Sequence, residues 1–165
     1  MSKELKKSLL EYIKVVLITV IITYMVLYFI QISRVVGSSM EATYQNGNII
    51  LVDKFFYKRG KPSYNDIVVV KYMVSSDEEQ IIKRIIGLPG DHLEMKDNQL
   101  YRNGELLKED YILEKMVDNE DFSYDIPKGK VFVMGDNRNN SIDSRMIGYI
   151  DFDDEVVGRV FFKVF

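Results

Sequence analysis

Apolar residues are spaced in two different ways along this chain. Residues 15–30, VVLITVIITYMVLYFI, form an uncharged run of 16 broken only by Thr19, Thr23, Tyr24 and Tyr28. After Gly37 the apolar residues come in short β-branched runs between turn formers: NIILVDKFF (48–56), DIVVVKYMV (66–74), QIIKRIIGL (80–88), DHLEMK (91–96), QLYRNGELL (99–107) and KVFVMGD (130–136). Runs of this length and make-up read as strands. Asn103-Gly104, set between alternating residues, is a two-residue hairpin signal. MIGYID (146–151) and EVVGRVFFKVF (155–165) are expected to close the chain as a last strand pair. The acidic stretch 108–128 reads as an exposed loop or excursion, and no internal repeat is present. The pattern predicts a mainly β domain behind one N-terminal apolar segment.

A membrane-spanning helix needs about 17–25 residues, so the run must borrow Tyr12 and Ile13, or Gln31 and Ile32. A buried core helix is the bland alternative. A cleavable signal peptide is another, but its apolar core is usually about 7–15 residues with a small-residue cleavage site after it, and here QISRVV follows. The expectation is an uncleaved, single-pass signal anchor in the cell membrane. Lys3, Lys6, Lys7 and Lys14 precede the run, and the positive-inside rule then puts the N-terminus in the cytoplasm. The expected division is 1–14 cytoplasmic, 15–32 transmembrane, and 33–165 an extracytoplasmic domain.

Composition narrows the chemistry. A chain of 165 residues, 47% hydrophobic and 28% charged, supports one packed domain plus an accessory segment. It contains no cysteine and one histidine, His92, which excludes disulfides, thiolate nucleophiles and histidine metal clusters. No metal or cofactor is expected. The formal charge of −3 divides into +3 over residues 1–36 and −6 over the rest, and an acidic domain without a basic stripe argues against nucleic acid as a partner.

Three stretches hold candidate chemistry. In IIKRIIGLPGD (81–91), alternation along a strand sets Ile81, Lys83 and Ile85 on one face and Ile82, Arg84 and Ile86 on the other. Burial among isoleucines lowers a lysine's pKa, and a neutral amine near pH 7 is a competent general base. The same pattern fits a strand with one wet face, whose lysine snorkels to water. In VVGSSMEATY (35–44), Gly37 permits a tight bend before two serines. Serine needs a base to become a nucleophile, and His92 lies beside Asp91 in an expected turn, which leaves Lys83 as the better base. GSS is also ordinary turn chemistry. In MGDNRNNSIDSR (134–145), Asp136, Arg138, Asp143 and Arg145 are spaced for a scaffold in which arginine forks hold carboxylates; a plain polar loop is the alternative.

Together these stretches resemble the type I signal peptidases, of the Gram-positive bacterial type. GDNRxxSxDSR is matched at every fixed position over 135–145, and KRxxGxPGD is complete over 83–91. The resemblance implies a signal-peptidase-type β-barrel domain behind one transmembrane helix, and a serine endopeptidase that cuts signal peptides from exported precursors. It implies that Ser39, which precedes Met40, is the nucleophile and Lys83 the general base. It further implies that Ser141 hydrogen-bonds the lysine amine, that Asp143 holds Arg145, and that Gly37 stands where some relatives carry a second, hydroxyl oxyanion donor. Substrates of such enzymes bind as extended strands with small residues one and three positions before the cut. Met40, Ile81 and Ile82 are the expected walls, and the lipid bilayer is the other partner.

Two departures from the family pattern matter. The usual SMxPT is SMEAT here, with Ala42 in place of proline, and Asn65-Asp66 replaces a usual Gly-Asp; asparagine tolerates left-handed backbone. Ala42 keeps open a non-catalytic or substrate-dedicated homologue acting in surface-protein or pilus assembly. An autoproteolytic repressor-like protein also joins a serine to a strand lysine, but the anchor and the complete GDNRxxSxDSR stretch count against it.

Overall fold

The computed structural model describes residues 3–74 and 77–165. Helix α1 (Lys3–Phe29) is 27 residues long, buries none of its side chains, and is the one described helix long and apolar enough to cross a membrane. It ends earlier than the expected span. Ile30–Arg34 is strand β1, paired antiparallel with β2 (Ile49–Asp53), so residues 30–32 belong to a sheet.

Seven strands follow one another by pairing in the order β1, β2, β11 (Val156–Lys163), β3 (Ile67–Val74), β4 (Asp77–Gly87), β9 (Lys130–Met134) and β10 (Ile150–Asp151). The order is open, with β1 and β10 at its edges, so the barrel implied by the resemblance takes the form of an unclosed sheet. A second sheet runs β7 (Glu105–Leu106), β6 (Gln99–Arg102), β5 (His92–Lys96), β8 (Phe122–Asp125). The predicted hairpin joins β6 to β7. Asn103 and Gly104 have φ of 54° and 82°, the pair of positive values a type I′ turn requires.

Two expectations are corrected. Residues 144–147 are a short helix, α2 (Ser144–Ile147), whose first turn is capped by the Asp143 carboxylate accepting from the Arg145 N–H; that cap overrides the strand reading of 146–149, and only Ile150–Asp151 is strand. The 108–128 excursion is not simply exposed. It contains β8, and Met116 and Ile126 enter the core beneath the second sheet with Leu93, Met95 and Phe132. A separate core under the large sheet gathers Val68, Val70, Ile85, Val131 and Val133.

The strand directions bear on the site. Each step from β1 through β2, β11 and β3 to β4 is antiparallel, so β1 and β4 run the same way. Among the described residues, β1 is paired on one side only, and β4 pairs with β9 from Arg84 onward. Residues 77–83 of β4 and residues 30–34 of β1 therefore both present free edges.

Candidate active site

Lys83 is 2% exposed, so it does not snorkel. Its amine donates to Ser39 Oγ at 2.7 Å and to the Ile82 carbonyl at 2.9 Å. Burial lowers its pKa to about 8, outweighing the opposing pull of Asp143 and Asp136, while Arg145 pushes the same way as burial. His92 lies elsewhere, on the second sheet, 2.7 Å from Asp125 Oδ1.

Ser39 sits in a run of tight turns. Glu41 N donates to Ser38 O, and Thr43 N and Tyr44 N donate to Met40 O. Residues 135–140 grip that turn from behind: Asn137 N donates to Ser39 O at 3.0 Å, Asn137 Nδ2 to Ser38 O, and Asn140 Nδ2 to Ser38 Oγ. Gly135 is required for the approach, because a Cβ there would lie 2.4 Å from Ser39 O and 2.3 Å from Ser141 Oγ. The Ser39 carbonyl is thus occupied, while its N–H takes no partner among the described residues.

The scaffold is wired differently from the sequence expectation. Asp143 does hold Arg145, at 2.9 Å from Nε to Oδ1 and 2.9 Å from Nη2 to Oδ2, and accepts the Gly135 N–H. Arg138 pairs outside its own segment, forking onto Glu109 at 2.6 Å twice. Asp136 is taken by Arg84, at 2.8 and 2.7 Å, and also accepts the Thr43 hydroxyl. Arg84, Thr43 and Glu109 are the residues sequence reasoning missed as scaffold. A charged side chain beside Lys83 on a buried strand is the signal that a carboxylate partner must exist. Ser141 does not bond the lysine. Its Oγ is buried with no hydrogen-bond partner among the described residues, and the amine is already directed at Ser39 and Ile82.

Beside the pair runs a groove of about 280 Å³, lined by Gly37, Met40, Ile81 and Ile82 among others, between the free edges of β1 and β4. Gln31 donates to Gln80 across the same gap at 3.0 Å. Gly37 has φ of 92° and its N–H donates to Asn46. Asn65 adopts φ of 67°, the left-handed conformation expected of asparagine there.

A serine hydroxyl against a buried, weakly basic amine suits acyl transfer, and comparison with known proteins agrees. The family described as signal peptidase, peptidase S26, matches residues 9–165. Signal peptidase I P of Bacillus subtilis subsp. natto is 37% identical over 154 residues, covering 87% of this chain and 82% of that one. Signal peptidase IB of Staphylococcus aureus strain N315 is 33% identical, covering 96% of this chain and 91% of its own. A crystal structure of a signal peptidase I from Enterococcus faecalis V583 superposes with a TM-score of 0.51 at 34% identity, over 62% of this chain and 98% of that chain. The chain therefore belongs to the signal peptidase family, peptidase S26, as a hydrolase of the signal peptidase I kind that acts on precursors bearing signal peptides.

Proposed function

We propose that this chain is a membrane-anchored serine endopeptidase that removes signal peptides with a Ser39–Lys83 dyad. The observation that carries the reading is the 2.7 Å approach of Lys83 Nζ to Ser39 Oγ, by an amine whose pKa burial brings to about 8. Ser39 attacks the scissile carbonyl while Lys83 takes its proton. The oxyanion is met by the free Ser39 N–H. Lys83 then returns the proton to the leaving amine, and the same lysine activates the water that hydrolyses the acyl-enzyme.

The groove supports binding of the precursor as an added strand. Because β1 and β4 are parallel and both edges are free, a peptide between them, running parallel to both, pairs with each. A groove this small, walled by Met40, Ile81 and Ile82, favours small side chains at one and three positions before the cut. An exposed helix containing an 18-residue stretch of mean hydropathy 2.1 supports the anchor. Lys3, Lys6, Lys7 and Lys14 support a cytoplasmic N-terminus and an extracytoplasmic catalytic domain.

The test is cleavage of a precursor with an Ala-x-Ala site by the full chain in detergent, beside Ser39→Ala and Lys83→Ala. Each variant is expected to lose activity by roughly three orders of magnitude or more. A Ser39→Ala protein that still matured the precursor would remove the dyad, and a wild type that bound without cutting would favour the assembly-factor alternative.

A further inference from the structure

A second groove, of about 620 Å³, lies where α1 meets the domain. Met25 and Phe29 of the helix form one side; Phe56 and Phe161 face them, with Asp53 and Arg159 also lining it. That size is in the range of about 300–1,000 Å³ that holds a small-molecule ligand. The segment beside it, KFFYKRGK (54–61), has four cations, Lys54, Lys58, Arg59 and Lys61, and no acid, in a chain of net charge −3.

The segment is fixed against the helix end. Lys54 N donates to Phe29 O at 3.1 Å, and the Phe29 ring meets those of Phe55 and Phe56 at 4.7 and 5.7 Å. The Arg59 guanidinium lies 3.6 Å over Phe55. Among the described residues, none of the four cations forms a salt bridge. Arg159 reaches Asp66 through Nη1 at 3.4 Å and lies 5.5 Å over the Tyr57 ring. The other acid, Asp53, is turned to backbone, its Oδ1 accepting the Phe55 and Phe56 N–H groups.

We propose that this groove binds an anionic phospholipid of the bilayer, with an acyl chain between α1 and Phe56/Phe161 and the phosphate against Arg59 and Arg159. The proposal rests on the reading that α1 is the membrane anchor. Its chemistry follows from two observations together. One wall of the groove is a helix whose apolar side chains are exposed all round, so the occupant shares that hydrocarbon environment. Arg159 lines the groove and the adjoining segment 54–61 carries four cations without a salt bridge among the described residues, so the occupant is negatively charged; a second copy of this chain would bring the same cations and be repelled. A lipid held here seats the domain with β1 directly after the anchor, and with it the end of the groove between β1 and β4.

The test uses the full chain reconstituted in vesicles of phosphatidylcholine with about 30% phosphatidylglycerol, extracted gently and examined by native mass spectrometry for retained lipid. The wild type is expected to retain phosphatidylglycerol over phosphatidylcholine by roughly tenfold relative to their abundance, from the attraction of clustered cations to anionic headgroups. Arg59→Gln/Arg159→Gln is expected to lose that preference while cutting a short soluble peptide at the wild-type rate. Equal retention of both lipids by the wild type, or an unchanged preference in the double variant, would overturn the proposal. Lipid retention reads this site whether or not Ser39 is the nucleophile, so failure of the dyad shows separately, as an active Ser39→Ala protein.

Discussion

Arg84 grips Asp136 through two hydrogen bonds, of 2.8 and 2.7 Å, one residue along the strand from Lys83. Both side chains are nearly inaccessible, at 9% and 0%, and the guanidinium also lies 4.0 Å from the Tyr111 ring centroid. Through Thr43, which donates to Asp136, the pair joins three segments: the strand of the lysine, the turn after the serine, and residues 135–145. Charge of this kind is expensive to bury, and it is held here by partners at every polar atom.

Breaking the Arg84–Asp136 pair from one side leaves an uncompensated charge in the interior. Asp136→Ala is expected to destabilise the fold by about 3–5 kcal/mol. Asp136→Asn keeps the shape and spares part of that, yet it loosens Thr43 and the serine turn, so kcat falls further than stability. Urea melts beside single-turnover cleavage separate the two. Equal losses in both variants would show that the pair is structural only.

Gly135 is a matter of space. An added methyl would meet the Ser39 carbonyl, which is backbone and held by Asn137 N, so Gly135→Ala has to move Ser39, the proposed nucleophile. A displacement of about 1 Å costs on the order of 10²-fold in rate. The expected result is a folded protein, by circular dichroism and melting temperature, with that loss in kcat and little change in KM.

Ala42 behaves differently from what its family position suggests. Its φ is 89°, at the third position of the turn closed by Thr43 N and Met40 O, where a type II turn wants glycine. Proline, fixed near −65°, cannot adopt that angle. Ala42→Gly is expected to stabilise by about 1 kcal/mol with activity retained. Ala42→Pro, the change that would restore the family pattern, is expected to disturb the serine turn and lower kcat. Thermal melts and cleavage rates of the two variants check this, and a more active proline variant would contradict it.

Much of this was legible in the strands. Alternating runs and Asn103-Gly104 marked the sheets, because period-two burial and a positive-φ turn are written into residue type. Strand β1 was hidden, since Ile30–Arg34 follows the apolar run without a turn former between them and only its pairing with β2 marks it as a strand. Strand β8 was hidden too, because FSYD is polar and shows a single apolar face once β5 pairs with it. In the site, Ser39 and Lys83 were found by motif, whereas Arg84 with Asp136 and Arg138 with Glu109 span 52 and 29 positions, and no local pattern reveals a partner at that range. The Ser141 hydroxyl was expected on the lysine because motif position carries no rotamer.

The depressed pKa of Lys83 fixes two pH dependences. In the proposed mechanism cleavage needs the neutral amine, so kcat/KM is expected to rise with pH through about 8, well below the ordinary lysine value of about 10.4. Stability follows by linkage. Between about 8 and 10.4 the unfolded chain still holds the proton that the folded chain has lost, so this group raises stability with pH across that window, and it contributes no pH dependence below it. At pH 7 the folded protein therefore bears a buried ammonium, and Lys83→Met should remove that burden. The variant is expected to be inactive but more stable than wild type at pH 7, with the advantage shrinking as pH passes from 8 to 10.4. Melting temperatures of both proteins at pH 7, 8.5 and 10 measure it. A gap that stayed constant across those values would place the proton elsewhere and leave the rate profile to another group.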